Sequence, residues 1–211
     1  MSVWTVVVAA GSSERFGADK QSADLVGRTV LERSVDAAGD SDGVVVVVAP
    51  AVVGEVTERL GGSVHAVVAG GATRSASVRA GLAVVPDVAN VVLVHDGARP
   101  LASRDLFARV VAAVEAGADA VVPGVPVNDS LRRVDGAVDR EGMMAVQTPQ
   151  GFPAATLRAA HASGADASDD ATLVEAYGGS VVVVGGEADN LKVTRPVDLL
   201  VARQVLEASG G

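Results

Sequence analysis

Val3-Trp4-Thr5-Val6-Val7-Val8-Ala9-Ala10-Gly11-Ser12-Ser13-Glu14-Arg15-Phe16-Gly17-Ala18-Asp19-Lys20 opens on a β-branched run and closes on small and charged residues. Val3–Val8 lacks the polar–apolar alternation of a half-exposed strand, so it reads as a parallel strand covered on both faces. The loop behind it has small side chains, which let a phosphate approach the backbone. Its N–H groups suit anionic oxygens, and Arg15 and Lys20 supply positive charge. It lacks the Lys-[Ser/Thr] ending and glycine spacing of a P-loop, and it is not Gly-x-Gly-x-x-Gly. Two readings therefore stand for Gly11–Lys20: a phosphate loop, or an ordinary glycine-containing strand-to-helix turn.

Outward from this stretch the same pattern recurs at Val44–Val48, Val64–Val68, Val91–Val94, Ala120–Val122 and Val181–Val184. Parallel strands need crossovers, and Thr29–Ala38, Ala51–Leu60, Arg74–Val84, Ser103–Ala116 and Pro196–Ala208 have helical apolar spacing. Ser103 suits an N-cap and Pro196 a first-turn position. The sum predicts one layered α/β/α domain over residues 1–211, with a mostly parallel central sheet. Between Val125 and Val146 the pattern turns polar, and Asp135-Gly136 suggests a hairpin turn. This segment reads as a protruding β-hairpin arm with little of its own to bury, stabilised by packing on a second subunit. Ala162–Ala171, small and acidic, reads as a mobile surface loop.

Composition narrows the function. The 211 residues contain no cysteine, which removes disulfide scaffolds, cysteine-ligated metals and thiol nucleophiles. A formal charge of −9 gives no broad attraction to nucleic acid or anionic membranes, so a polyphosphate site must be built locally. Aromatic residues make up 2% of the chain, too few for a base-stacking sheet. No basic leader precedes the first apolar run, and the expectation is a soluble, cytoplasmic protein without a membrane anchor.

Three further clusters carry chemistry. His95-Asp96-Gly97-Ala98-Arg99-Pro100 follows the run Val91–Val94, where open α/β sheets place ligands, and an Asp there suits Mg²⁺ beside phosphate oxygens. The plainer reading makes Asp96 a cap paired with Arg99 and His95 structural. Glu187-Ala188-Asp189-Asn190-Leu191-Lys192-Val193-Thr194-Arg195-Pro196 offers carboxylates, an amide and cations in one turn region, or else a solvated cap. Gly70-Gly71-Ala72-Thr73-Arg74-Ser75-Ala76-Ser77 suits a base or phosphate at a helix start, or a plain turn. In the arm, Asp129, Arg132, Arg133 and Arg140 suit an anionic substrate or rim ion pairs. No Gly-x-Ser-x-Gly elbow and no His-Glu-x-x-His site occur, which sets aside triad hydrolysis and zinc proteolysis.

Read in order, Ala9-Ala10-Gly11 with Arg15 and Lys20-Gln21, Gly70-Gly71 with Arg74 and Ser77, Val94-His95-Asp96-Gly97-Ala98-Arg99-Pro100, Thr148-Pro149-Gln150-Gly151-Phe152, Ser168-Asp169-Asp170-Ala171 and Asp189-Asn190-Leu191-Lys192-Val193-Thr194 resemble the 2-C-methyl-D-erythritol 4-phosphate cytidylyltransferase family. The match spans Val3 to Leu199. Ser13, Phe16 and Asp19 depart from the family's usual first loop, and Asp129-Ser130-Leu131-Arg132 stands where it often has Asp-Thr-hydrophobic-Lys.

The resemblance implies a Rossmann-like three-layer nucleotidyltransferase fold and a homodimer with interlocking arms. It also implies the Mg²⁺- or Mn²⁺-dependent transfer of the cytidylyl group of CTP to 2-C-methyl-D-erythritol 4-phosphate, in the non-mevalonate isoprenoid route. Arg15, Lys20 and Lys192 would be the catalytic cations. Ala10, Gly11, Ser12, Gly71, Arg74, Ser77, Asp96 and Ala98 would bind nucleotide. Asp129, Ser130, Arg140 and Thr148 would address the acceptor, and Arg99 would support the loop. Asp96 would hold the metal with Asp189 or Asn190. The neighbouring expectations are a ribitol-5-phosphate or other polyol-phosphate cytidylyltransferase, a molybdenum-cofactor or sugar-1-phosphate nucleotidyltransferase, and a catalytically silent nucleotide-binding scaffold.

Overall fold

Residues 1–11, 16–17 and 19–208 are described by the structure, a computed structural model. In chain order the elements are β1 (Val3–Ala9), β2 (Asp24–Leu25), β3 (Arg28–Thr29), α1 (Val30–Ala37), β4 (Gly43–Val48), α2 (Val53–Leu60), β5 (Ala66–Ala69), α3 (Arg74–Leu82), β6 (Val91–Asp96), α4 (Arg104–Glu115) and β7 (Ala120–Pro126). There follow β8 (Arg132–Arg133), β9 (Gly136–Ala137), β10 (Met144–Val146), β11 (Gln150–Pro153), α5 (Ala154–Ala162), α6 (Asp170–Ala176), β12 (Val181–Gly185) and α7 (Pro196–Ala208).

Eight strands form one sheet in the order β10-β7-β11-β6-β1-β4-β5, with β12 also joined to β7. Pairings of β1 with β4 and β6, of β4 with β5, and of β7 with β12 are parallel. The pattern follows from the valine runs. With every side chain apolar, both faces must be covered, so Val45 and Val47 belong to the buried cluster on the α3, α5 and α6 side of the sheet, while Val44, Val46 and Val48 belong to the one on the α1, α2 and α4 side. Burying one such side chain is worth about 1.5–3 kcal/mol. The β1–β4 register is marked at its start, where Trp4 faces Gly43 and a Cβ on Gly43 would lie 2.4 Å from the indole.

Helix starts follow their capping residues. Thr29 and Glu32 form a reciprocal capping box on α1, with Thr29 N donating to Glu32 at 2.6 Å and Glu32 N to Thr29 Oγ1 at 3.1 Å. Ser103 caps α4 through Leu106 N at 3.0 Å.

Sequence reading missed the two-residue strands β2 and β3 and three larger elements, β11, α5 and α6. β11 runs antiparallel between β6 and β7, so the expected parallel neighbours are split. It is four residues long and holds Gly and Pro, and it lacks the β-branched signature. Gly151 is required because a Cβ there would meet Val110 of α4 at 2.5 Å. α5 and α6 are built largely from alanine and polar residues, and Ala162–Ala171 is not a detached loop. Its end starts α6, Asp170 is fully buried, and Thr73 donates to Asp166 at 2.7 Å.

Two other expectations shift. The two-residue hairpin turn is Val134-Asp135, between paired Arg133 and Gly136, rather than Asp135-Gly136. β12 was expected to be covered on both faces, but Val182 and Val183 are 42% and 49% exposed because β12 lies on the outer side of β7. The arm shares this exposure at Leu131, Val134, Met143, Met144 and Val146.

Candidate active site

The C-terminal ends of β1 and β6 lie side by side, with Val8 opposite Asp96, and they open into a cleft of about 950 Å³. Its walls include Ala10, Gly11, Lys20, Gly71, Arg74, Ser77, Asp96, Ala98 and Lys192, all drawn together from the separate clusters of the sequence. Ser12 and Arg15 lie outside the described residues. Asp19, beside Lys20, accepts from Gln21 N at 3.0 Å.

Close backbone approach explains the glycines on the opposite wall. A Cβ on Gly70 would fall 2.4 Å from Ala10, and one on Gly71 would fall 2.5 Å from Ala76. Ser77 sets this turn, accepting from Gly71 N at 3.2 Å and donating to Thr73 O at 3.0 Å.

Asp96 is the electrostatic centre. It is 8% exposed, and Lys192 Nζ sits 2.7 Å from one carboxylate oxygen, with Arg99 Nε 3.7 Å from the same oxygen. Arg74 Nε is 3.9 Å from the other. Burial pushes the Asp96 carboxyl up, but Lys192, then Arg74 and Arg99, more than offset it and hold the group below the usual carboxylate range. Arg99 is pulled the other way: burial lowers it and Asp96 restores only part. It donates to Asn190 O at 2.7 Å, which ties the β6 turn to the segment carrying Lys192. Val193 N completes that tie by donating to Ala98 O at 2.8 Å.

From behind, Asp96 N donates to Thr148 Oγ1 at 3.0 Å, and the His95 ring lies between Thr148 at 3.1 Å and Arg99 O at 3.2 Å. Burial lowers the His95 pKa to about 4, so it is neutral at pH 7. On α1, Ser34 donates to Gly97 O at 3.0 Å and fixes the turn from the other side.

Several expected site residues are placed elsewhere. Thr148 is 5% exposed, and its hydroxyl supports Asp96 and His95, so it faces into the protein rather than toward an acceptor. Asp189 is exposed and lines a separate groove with Pro100–Ser103 and Leu206, and it is not among the residues lining the cleft at Asp96. Asn190 is fully buried. Its amide nitrogen donates to Thr148 O at 3.0 Å, while its Oδ1 has no partner. Asp129, Ser130 and Arg140 are exposed on the arm and do not line the cleft, and Arg140 donates to Asn128 O. Glu187 caps Ser103 and pairs with Arg109 at 2.9 Å.

Sequence reasoning missed Gln147. Its amide clasps Glu187 in both directions, at 2.7 Å and 3.0 Å, and so holds the turn that leads to Lys192. It also gave Asp170 no role, although Arg74 donates to Asp170 at 2.7 Å. Gln147 is adjacent to the quoted Thr-Pro-Gln-Gly-Phe motif, and Asp170 lies inside Ser-Asp-Asp-Ala; position within these motifs was the available signal.

A three-layer α/β sheet that gathers a lysine and two guanidinium groups about one ionised carboxylate at its strand ends, with a glycine turn and a second lysine lining the same cleft, has the layout of a nucleotidyltransferase. Residues 3–208 match the profile of the family described as IspD: 2-C-methyl-D-erythritol 4-phosphate cytidylyltransferase, and the chain belongs to that family. It is 47% identical to the Rhodococcus opacus protein named 2-C-methyl-D-erythritol 4-phosphate cytidylyltransferase, over 97% of this chain and 95% of that one. Identity is also 47% to a bifunctional IspD/IspF enzyme of Clavibacter michiganensis, where 98% of this chain is covered but only 55% of the relative, so the chain spans about half the length of that protein. The crystal structure of the Thermus thermophilus 2-C-methyl-D-erythritol 4-phosphate cytidylyltransferase superposes with a TM-score of 0.80 at 39% identity, covering 98% of this chain and 100% of that one.

Proposed function

We propose that this protein transfers the cytidylyl group of CTP to 2-C-methyl-D-erythritol 4-phosphate, releasing pyrophosphate, in the non-mevalonate isoprenoid route. The observation that carries the reading is the cluster of Lys192 at 2.7 Å and Arg74 at 3.9 Å about Asp96, in a cleft that Lys20 also lines. A phosphate oxygen of the acceptor attacks the α-phosphorus of CTP, the bond to the β-phosphate breaks, and pyrophosphate leaves. Both reactants are anions, so the chain's task is to bring them together and to stabilise the charge that moves onto the leaving group. Lys20 and Lys192, with Arg15, would do this. The Gly71 turn, braced by Ser77, would take the base and ribose, and Ala10, Gly11, Ser12 and Ala98 would line the nucleotide. No base is needed on an ionised phosphate, in keeping with a neutral, internally bonded His95.

The donor set fits a hard divalent cation held mainly by phosphate oxygens. Asp96 is an ionised carboxylate whose Oδ1 lies 3.9 Å from Arg74 Nε, beyond hydrogen-bond distance. Among the described residues no cluster of three or more His, Asp or Glu side chains forms an all-protein cage. When bound, Mg²⁺ or Mn²⁺ would neutralise triphosphate charge, with Asp96 as its protein ligand.

Residues 1–211 would form one domain with 125–146 as a dimerisation arm. Met144 and Val183 converge over Gly124, where a Cβ would lie 3.1 Å and 3.0 Å from them, and this half-exposed apolar face would be covered by a second copy. Asp129, Ser130 and Arg140 would then serve the acceptor in the partner's cleft. The enzyme would work in the cytoplasm; no helix among the described residues is long and apolar enough to cross a membrane.

The test is pyrophosphate release with CTP and Mg²⁺, comparing 2-C-methyl-D-erythritol 4-phosphate, ribitol 5-phosphate and no acceptor. Turnover confined to the first supports the proposal. Preference for ribitol phosphate moves the acceptor to a polyol phosphate, and CTP binding without turnover makes the protein a silent binder.

A further inference from the structure

The segment leading into α6, with its first residue, is latched to α3 and its cap by four hydrogen bonds. Thr73 donates to Asp166 at 2.7 Å, Ala167 N donates to Ser75 Oγ at 3.2 Å, Arg79 donates to Ala165 O at 3.0 Å, and Arg74 Nη1 donates to Asp170 at 2.7 Å. Asp170 has no exposed surface, and its second oxygen lies 2.9 Å from the Nε2 of buried His161. A wholly buried carboxylate is costly unless it is paired, so Asp170 and Arg74 hold each other in place. The Arg74 guanidinium is thus shared between two carboxylates on opposite sides, bonded to Asp170 and 3.9 Å from Asp96.

That asymmetry has a chemical effect. Asp96 already carries Lys192 at 2.7 Å and Arg99 at 3.7 Å. Without Asp170, Asp96 would be the remaining described carboxylate within ion-pair distance of Arg74, with Asp169 acting on it more weakly. The Arg74 guanidinium would close onto Asp96 Oδ1 and withdraw a cation from the cleft. Burial works against the charge on Arg74, but Asp170 first and Asp96 second more than restore it, so the guanidinium stays charged.

We propose that Asp170, backed by His161, is a positioning residue that holds the Arg74 guanidinium off Asp96 and presents it to the nucleotide. The inference rests on the cleft's being the CTP site. Asp170 touches no reactant and acts through Arg74, so its removal weakens nucleotide binding more than turnover.

The experiment has two arms. The first measures CTP affinity by equilibrium dialysis, and KM and kcat by pyrophosphate release, for the wild type, Asp170→Asn, Arg74→Gln and the double variant, with melting curves to establish folding. Asp170→Asn is expected to raise the dissociation constant and KM for CTP about tenfold, the scale of one charge-assisted hydrogen bond, and to leave kcat within about threefold. In the double variant the loss should equal that of Arg74→Gln alone. Multiplying losses, an unchanged KM, or a fall confined to kcat would overturn the proposal.

The second arm needs neither variant nor substrate. Nitrogen NMR of the wild-type Arg74 side chain should show distinct, slowly exchanging Nη signals from restricted rotation, whereas freely averaged signals would overturn the proposal even if Asp170→Asn fails to fold. If the wild type neither binds CTP nor turns over, the functional reading fails, while the Arg74 signals still decide whether the guanidinium is held.

Discussion

The cleft and the arm solve opposite problems with chain segments of similar polarity. Around Asp96 every charged group answers another. Lys192, Arg99 and Arg74 flank one carboxylate, Asp170 holds Arg74, and Thr148 and Ser34 fix the backbone on either side. The arm has strands of two residues at β8 and β9, an exposed ion pair between Arg133 and Asp135, and apolar side chains facing outward. One chain by itself organises the cleft proposed for the nucleotide, whereas the proposed acceptor residues Asp129, Ser130 and Arg140 are exposed on the arm. Rigidity here comes from burying charges in reciprocal pairs, which a hairpin without a core of its own lacks.

This contrast breaks most sharply at Lys192. Lys192→Gln should lower turnover at saturating CTP by about 10²–10³-fold, as for loss of a group that stabilises transition-state charge, measured by pyrophosphate release. A comparable loss in CTP affinity instead would make Lys192 a ground-state binder. On the other side, Met144→Asp places a charge on the apolar face shared with Val183. It should convert a dimer to monomer in light scattering and lower turnover by more than about tenfold while CTP affinity is kept. A fully active monomer would remove the arm from the acceptor site.

The next effect concerns stability. Folded His95 takes up a proton only near pH 4, whereas the unfolded chain does so near the ordinary histidine value. The unfolded state therefore binds more protons between those values, and stability present above about pH 6.5 is lost as pH falls toward 4, by about 3 kcal/mol at most. His95→Gln should flatten that share of the slope in urea titrations across this range. The smallest change is Thr29→Ala, which opens the α1 capping box and should cost about 1 kcal/mol by urea unfolding.

How much of this was legible follows from the range of each signal. The valine runs announced the parallel strands because burial on both faces leaves a local mark. Lys20, Asp96 and Lys192 were legible as cations and a carboxylate near strand ends, where α/β sheets open. β11 was not, since Gly151 is explained by Val110, a residue far away in the chain. Ala162–Ala171 looked like solvated acidic loop because the charges of Asp166 and Asp170 are answered by partners in α3 and its cap, and by His161. Asp189 and Lys192 are close in sequence yet face different grooves, because the chain turns at Asn190, which is buried between them.

The valine strands also bear on fidelity of folding. A slip of one residue in an alternating strand drives its apolar face into water, but in Val44–Val48 it would exchange valine for valine. Hydrophobicity alone therefore scores misaligned sheets almost as well as the native one. The discriminating information sits at the margin, where the large indole of Trp4 has room only beside the absent side chain of Gly43. In this sheet the bulk of the binding energy is degenerate, and the choice among alignments is delegated to one lock at the strand's first pair.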